Sequence, residues 1–362
     1  MPKRLDMQPA KQSVLGQLKG RVLVTGGAGF IGSHLVDVLV STGAAVTVLD
    51  DFSIGSIDNL SGAMQCGDVR ILEGSILDYG AVDEALAGCD RVFHLAVQCV
   101  RRSLGAPMES HEVNATGTLN ILEAARRQRV DRFIYCSSSE VYGNASERVL
   151  NEDATPCRPV TVYGGAKLAG ELYTEAYRQT YSLPTLVVRP FNAYGPRAHQ
   201  QGQRAEVIPR FVIRVLNGLP PIVFGDGSNG RDFTYVTEVA RGLALAGASD
   251  RLVGQRVNIA YGRMITVAEV ANAVARACGR SDLQAEYSNP RPGDVHKLRA
   301  DTKKAKTLLG YAAEISFEEG IRRYVEWFRS AFPDPSVLTE AKAQNWTMPP
   351  TETVHLGEGA VA

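Results

Sequence analysis

The chain has 362 residues and a mass of 39.1 kDa, with 44% hydrophobic and 22% charged residues, which excludes a disordered, collagen-like or coiled-coil protein. Its 39 basic residues balance 39 acidic ones, so it lacks the broad positive charge of a duplex-binding protein. The first twenty residues hold no apolar segment of signal-peptide length, and no uncharged stretch approaches about 18 residues. The six cysteines and six histidines show no metal-ligand spacing. We therefore expect a cytoplasmic protein that binds no nucleic acid, membrane or metal.

Short apolar runs alternate with longer amphipathic stretches in the first half of the chain. The apolar runs predict six strands, at residues 21–25, 45–49, 69–72, 91–95, 132–136 and 185–189. The amphipathic stretches predict helices at residues 30–42, 79–87, 107–129 and 163–181. This alternation is typical of an α/β fold, a doubly wound parallel sheet with helices on both faces.

The amino-acid composition of the chain changes beyond Pro190. Gly, Pro and Gln crowd residues 195–203 and 217–231, which indicates a loop-rich second lobe. Residues 232–260 then resume strand, helix and strand, at 232–236, 237–248 and 256–260, and are interpreted as a return to the first domain. The expected organisation is a tail at 1–19, a first domain at 20–190 with 232–262, a smaller discontinuous domain at 191–231 with 263–332, and a tail at 333–362.

A glycine-rich turn follows the first predicted strand. The segment 25–32, TGGAGFIG, satisfies both G-x-G-x-x-G and G-x-x-G-x-x-G and opens a predicted helix. Such glycines let the backbone approach a pyrophosphate, whose charge lies at the amides and positive dipole of the helix. Asp50 ends the second strand, where a carboxylate accepts hydrogen bonds from a ribose and repels a 2′-phosphate. The pattern predicts NAD rather than NADP; the alternative is a tight turn that holds no ligand.

Tyr163 and Lys167 are four residues apart and therefore share one face of a predicted helix. An ammonium group and an oxidised nicotinamide both favour a phenolate, so Tyr163 is suited to take a hydroxyl proton as hydride leaves the carbon. The segment 136–143, CSSSEVYG, follows a predicted strand at the edge where doubly wound sheets hold ligands. A serine there can bind the same substrate oxygen. Without this context, Tyr163 and Lys167 would be ordinary surface residues.

Together these segments resemble the extended short-chain dehydrogenase/reductases that modify nucleotide sugars, over roughly residues 20–330. The motifs that carry the resemblance are TGGAGFIG at 25–32, Asp50, HLA at 94–96, NATGT at 114–118, SSSEVYG at 137–143, Tyr163 with Lys167, and RPFNAYGPR at 189–197. The resemblance implies that the first domain binds NAD and the second a nucleotide sugar. It implies a catalytic trio of Ser138, Tyr163 and Lys167. The residues implied to bind NAD are Gly26, Gly29, Phe30, Ile31, Gly32, Asp50, Asp51, Ser75, Ile76, Ala96, Asn114, Lys167 and Phe191.

The second lobe carries candidate substrate-binding residues. Arginine offers planar, permanently charged donors that suit a diphosphate, and Arg231 and Arg291 resemble the diphosphate clamps of the family. The resemblance adds Asn192 as an uncharged donor and Phe224 as a packing surface for the nucleobase. The set of substrate residues is Asn192, Val207, Phe224, Arg231, Arg291 and Asp294. The alternative is that these are surface arginines and a core phenylalanine.

The resemblance implies a shared first step, in which NAD takes hydride from C4 of the hexose while Tyr163 takes the hydroxyl proton. The 4-keto sugar then has three fates. Return of hydride to the opposite face gives a 4-epimerase. Removal of the C5 proton, loss of water from C6 and delivery of hydride to C6 give a 4,6-dehydratase. Loss of carbon dioxide from a C6 carboxylate gives a decarboxylase.

Glu140 divides these possibilities. It stands where dehydratases and uronate decarboxylases of the family carry glutamate, as the C5 base or as a group that positions a sugar hydroxyl. The segments 291–295 and 309–311 resemble 4-epimerases more. We predict a UDP-sugar 4-epimerase, followed by a 4,6-dehydratase with Glu140 as base, a UDP-glucuronate decarboxylase and, in a different class, a non-catalytic NAD-binding scaffold. By analogy, helices 107–129 and 163–181 would form a homodimer.

Overall fold

The computed structural model of the protein describes residues 15–145, 149–200, 205–291 and 297–338. Its strands are β1 Arg21–Thr25, β2 Ala45–Asp50, β3 Val69–Glu73, β4 Arg91–His94, β5 Arg132–Cys136, β6 Thr185–Pro190, β7 Ala193–Tyr194, β8 Ile222–Phe224, β9 Gly230–Asp232, β10 Thr234–Tyr235, β11 Arg256–Ile259, β12 Met264–Thr266 and β13 Glu286–Ser288. Its helices are α1 Phe30–Ser41, α2 Ser61–Cys66, α3 Tyr79–Leu86, α4 Val100–Gly105, α5 Pro107–His111, α6 Gly117–Gln128, α7 Val162–Tyr181, α8 Val207–Leu216, α9 Val236–Ala248, α10 Val267–Ala277, α11 Lys303–Leu309 and α12 Phe317–Ala331.

Seven parallel strands form the central sheet, in the order β11-β6-β5-β4-β1-β2-β3. Six of them follow the order 3-2-1-4-5-6 of a doubly wound sheet, and β11 adds a seventh strand beside β6. Helices α1 and α9 cover one face, and α3, α6 and α7 cover the other. The predicted α/β fold class is confirmed.

The predicted helix at 107–129 is divided in the structure. A π-helical turn, Glu112–Thr116, separates α5 from α6. Within this turn the side chain of Asn114 donates to the backbone oxygen of Gln98 and accepts from its backbone nitrogen, at 3.0 and 2.9 Å. This long-range pairing accompanies the local widening of the helix, and helical periodicity cannot reveal it.

The strand predicted at 232–236 does not join the central sheet. Strand β9 pairs with β12 and β10 pairs with β7, and α9 already begins at Val236. The buried carboxylate of Asp232 accepts backbone hydrogen bonds from Tyr261, Gly262 and Ala300, which ties this segment to the loop after β11 and to the chain near Ala300. The predicted strand at 256–260 is confirmed as β11.

A second hydrophobic cluster lies outside the sheet. It joins α8, α10 and α12 through Phe211, Val270, Ile321 and Phe328. Two segments predicted as tails contribute to the two cores: Leu15 packs in the sheet core, and Leu338 packs in the second cluster. Among the described residues, no helix combines the length and the apolar character needed to cross a bilayer.

Candidate active site at the carboxyl edge of the sheet

A cavity of about 420 Å³ opens where the carboxyl ends of the central strands face the second lobe. Turns that follow β1, β2, β3, β4, β5 and β6 supply one wall, and residues of the second lobe supply the other. The predicted site residues that line it are Gly26, Gly29, Phe30, Ile31, Gly32, Asp50, Asp51, Ser75, Ile76, Ala96, Ser138, Glu140, Tyr163, Lys167, Phe191, Asn192, Val207, Phe224, Arg231 and Arg291. Asp294 lies outside the described residues.

The glycine-rich turn leaves no room for a side chain at Gly26 or Gly32. Gly26 has φ +68°, and a Cβ atom on Gly32 would lie 2.1 Å from the backbone oxygen of Gly26. Gly29 is the N-cap residue of α1, and among the described residues no side chain accepts a capping hydrogen bond from the first amides of this helix. The uncapped amides and the absence of Cβ atoms fit a pyrophosphate that approaches the backbone closely.

Asp50 also accepts backbone hydrogen bonds that the sequence does not reveal. Its carboxylate accepts backbone hydrogen bonds from Ala28 at 2.9 Å and from Phe52 at 3.0 Å. Burial raises the pKa of Asp50 above its usual value. The residue therefore fixes the glycine turn to the end of β2, and both it and the exposed Asp51 reach the cavity.

Asn114 does not line the cavity. Its side chain is buried and holds Gln98, so it supports the loop 96–99 from behind. His94 is likewise buried, between the hydroxyl groups of Thr25 at 2.7 Å and Thr118 at 3.0 Å. Burial lowers the pKa of His94 to about 3, so its ring is neutral at physiological pH.

Helix α7 brings Tyr163 and Lys167 against the turn Ser139–Tyr142. Thr161 is the N-cap residue of the helix, and its hydroxyl group accepts a hydrogen bond from the amide of Gly164. The helix lies close to the turn, because a Cβ atom on Gly164 would be 2.9 Å from the backbone oxygen of Glu140. Ser138 begins the facing turn, where its hydroxyl group accepts from the amide of Glu140 at 3.2 Å. The candidate catalytic side chains thus come from two segments in close contact.

Burial shifts the pKa values of two residues in this cluster. Burial lowers the pKa of Lys167 to about 8, while its ammonium group lies 4.6 Å from the centre of the Tyr135 ring. Burial of the phenol raises the pKa of Tyr163 above its ordinary value in the polypeptide itself. A hydrogen bond with Ser138 acts in the opposite direction, and the charge of Glu140 adds to the rise. The predicted fall depends on Lys167 together with an oxidised nicotinamide.

Arginines gather at the end of the cavity formed by the second lobe. Arg231 and Arg291 line it as predicted, and Arg231 is 7% exposed. Arg210, which the sequence analysis missed, also lines it, with its guanidinium group 5.7 Å from the centre of the Phe224 ring. The sequence signal that could have identified Arg210 is its position as a charged residue on the apolar face of α8. Three guanidinium groups make this end suitable for a diphosphate.

Comparisons with known proteins find similarity over most of the chain. The family model described as GDP-mannose 4,6 dehydratase matches residues 23–324. The UDP-glucose 4-epimerase of Mycolicibacterium smegmatis is 37% identical over 86% of this chain and 99% of that protein. The dTDP-glucose 4,6-dehydratase of Streptomyces niveus is 35% identical over 85% of this chain and 93% of that protein.

A solved structure extends the similarity to the whole fold. The dTDP-glucose 4,6-dehydratase of Streptomyces venezuelae, solved with NAD bound, has a TM-score of 0.82 and 31% identity, covering 88% of this chain and 100% of that one. The family model spans most of the sequence, and the relatives match over nearly their full length. The chain therefore belongs to the extended short-chain dehydrogenase/reductase family of nucleotide-sugar epimerases and dehydratases.

Proposed function

We propose that the protein is an NAD-dependent enzyme that transiently oxidises C4 of a nucleotide-linked hexose, with a UDP-sugar 4-epimerase as the first candidate. One observation carries the proposal. Ser138, Tyr163 and Lys167 line the same cavity as the glycine turn and the arginines of the second lobe. One cavity therefore combines a proton acceptor, a turn suited to bind the cofactor and arginines suited to bind a diphosphate.

The residues of this chain have separate roles in the proposed reaction. NAD, when bound, accepts hydride from the sugar and gives it back. Ser138 holds the C4 oxygen by a hydrogen bond, and Tyr163 takes the proton of that hydroxyl group and later returns it. The ammonium group of Lys167, together with the oxidised nicotinamide, would favour the phenolate form of Tyr163, against the rise in its pKa that burial causes. Arg231 and Arg291 hold the diphosphate, with Asn192 beside them and Phe224 against the nucleobase.

The NAD assignment is tested by Gly32→Ala. We expect NAD to bind at least about tenfold more weakly, because the new Cβ atom would meet the backbone oxygen of Gly26 at 2.1 Å and the turn must shift. Isothermal titration of the folded variant with NAD measures the effect. The control is Gly62→Ala in α2, where a Cβ atom meets nothing within 4 Å. Unchanged NAD affinity in Gly32→Ala would contradict the assignment.

Glu140 supports a 4,6-dehydratase as the second candidate. It lines the cavity, follows Ser138 closely, and its charge affects the pKa of Tyr163. A carboxylate at this position is suited to remove the C5 proton of a 4-keto sugar. In the epimerase, the same carboxylate only positions a sugar hydroxyl group.

Product analysis by proton NMR in deuterated water separates the candidates. The probes are UDP-glucose, UDP-N-acetylglucosamine, UDP-glucuronate and dTDP-glucose. Inversion at C4 without deuterium at C5 supports the epimerase, and Glu140→Gln then keeps turnover within about tenfold. Deuterium at C5 supports the dehydratase, and Glu140→Gln then abolishes turnover. A pentose product from UDP-glucuronate would indicate the decarboxylase, and conversion of none of the probes would favour the scaffold.

The finer assignments are proposals as well. A preference for UDP is supported by the 37% identity to a UDP-glucose 4-epimerase. A homodimer through α5, α6 and α7 is supported by their exposed apolar side chains, Met108, Leu119 and Leu172. A cytoplasmic location is supported by the cysteines, all six of which are described and carry thiols.

A further inference from the structure

A buried ion pair lies beside the catalytic residues. Glu171 follows Lys167 by one turn of α7, and its partner Arg189 lies in β6; their side chains are 1% and 2% exposed. The Nε and Nη2 atoms of Arg189 donate to separate oxygens of Glu171, at 2.8 and 2.6 Å. This two-point contact fixes the orientation of both side chains.

The ion pair contacts the segment 137–142 at both ends. The hydroxyl group of Ser137 donates to Oε1 of Glu171 at 2.5 Å. The guanidinium group of Arg189 lies 4.7 Å from the centre of the Tyr142 ring, and the hydroxyl group of Tyr142 donates to Asn258 at 2.8 Å. Ser138 and Glu140 lie between these two contacts. The ion pair therefore contacts this segment on both sides of these two residues.

Stability alone does not explain such a pair. Removing two charges from water is costly, and well-packed apolar residues often serve a core equally well or better. A role in orientation is the better explanation here, because Glu171 shares a helix with Tyr163 and Lys167 and holds the segment that carries Ser138. One rigid element thereby sets the spacing between the two halves of the catalytic set.

We propose that Glu171 is a positioning residue: clamped by Arg189, its carboxylate holds Ser137 and so keeps Ser138 in register with Tyr163. This inference rests on the proposed function, because Ser138 and Tyr163 are its catalytic residues. Glu171 itself does not line the cavity. Its effect is therefore expected in kcat rather than in the binding of NAD or sugar.

The test uses three variants, Ser137→Ala, Glu171→Gln and the double variant, with UDP-glucose as substrate. A displacement of catalytic groups by about 1 Å can cost about a hundredfold in rate, so we expect a kcat loss of that size in Glu171→Gln and a smaller one, about tenfold, in Ser137→Ala. KM and the Kd for NAD should stay within about twofold. Because both act through one contact, the double variant should lose no more than Glu171→Gln alone.

The matched control is Glu175→Gln, one turn further along α7. Glu175 accepts from Arg178 at 2.8 Å in a pair that is 27% and 35% exposed, and we expect its kcat to equal that of the parent. Rates are divided by the folded fraction from circular dichroism. Ser137→Ala leaves the ion pair intact, so it keeps the inference testable even if Glu171→Gln folds poorly. Parental kcat in Ser137→Ala, or losses that multiply in the double variant, would overturn the inference.

A parent enzyme that converts no nucleotide sugar would contradict the proposed function alone. The positioning is then read from crystal structures of Glu171→Gln and Glu175→Gln. We expect segment 137–142 to shift by about 1 Å in the first variant and to stay in place in the second. An unmoved segment in Glu171→Gln would overturn the inference.

Discussion

Tyr163→Phe is expected to lower kcat by about a thousandfold, because it removes the hydroxyl group that takes the C4 proton while the ring keeps its packing. The loss should appear in kcat, measured by NMR of the product, and NAD should bind as in the parent. Water is a far weaker base than a phenolate, so it is a poor substitute for Tyr163 as a proton acceptor.

The control for this substitution is Tyr173→Phe, a partly buried tyrosine on the same helix that packs in the core outside the cavity. Its turnover should stay near the parental value. A Tyr163→Phe enzyme that keeps more than about a tenth of the parental kcat would contradict the assignment of Tyr163 as the acid and base.

Arg189→Met is expected to lower the free energy of unfolding by about 3–5 kcal/mol. It removes both hydrogen bonds from Arg189 to the buried carboxylate of Glu171 and leaves Arg256, whose Nε atom lies 3.6 Å away, as its charged neighbour. The side chains of the pair are 2% and 1% exposed, so water cannot replace the lost contacts. Urea denaturation followed by circular dichroism measures the change.

Two comparisons make this result specific. Arg178→Met breaks the half-exposed pair with Glu175 on the same helix and should cost less than about 1 kcal/mol. The double variant Arg189→Met with Glu171→Leu removes both charges and should be more stable than Arg189→Met alone. Equal losses in Arg189→Met and Arg178→Met would contradict the account of this ion pair.

Much of the fold could be predicted from sequence because its elements are locally encoded. Strands β1 to β6 are apolar runs, α1 is a largely apolar, buried helix and α7 is amphipathic, so their bounds agree with the prediction to within a few residues. The π-helical turn at Asn114 and the pairing of β9 with β12 depend on contacts with Gln98 and with loops near Tyr261. Such contacts join distant parts of the chain and leave no periodic signal.

In the candidate site too, locally encoded motifs could be predicted, whereas residues that depend on distant contacts could not. Its glycine turn and the Tyr163 and Lys167 pair are short motifs, and the structure brings them to one cavity. Arg210 and Glu171 were missed because each is a single charged residue in a helix whose role depends on its neighbours in space. Burial raises the pKa of Tyr163 in the polypeptide, and this effect cannot be read from the spacing of two residues.

The central claim is that C4 of the sugar is oxidised and that the same hydrogen returns to the sugar. The most direct measurement is deuterium NMR of the product formed from UDP-glucose labelled with deuterium at C4. The account predicts that the label stays in the sugar, at an inverted C4 in the epimerase or at C6 in the dehydratase. Loss of the label to water during turnover would contradict it.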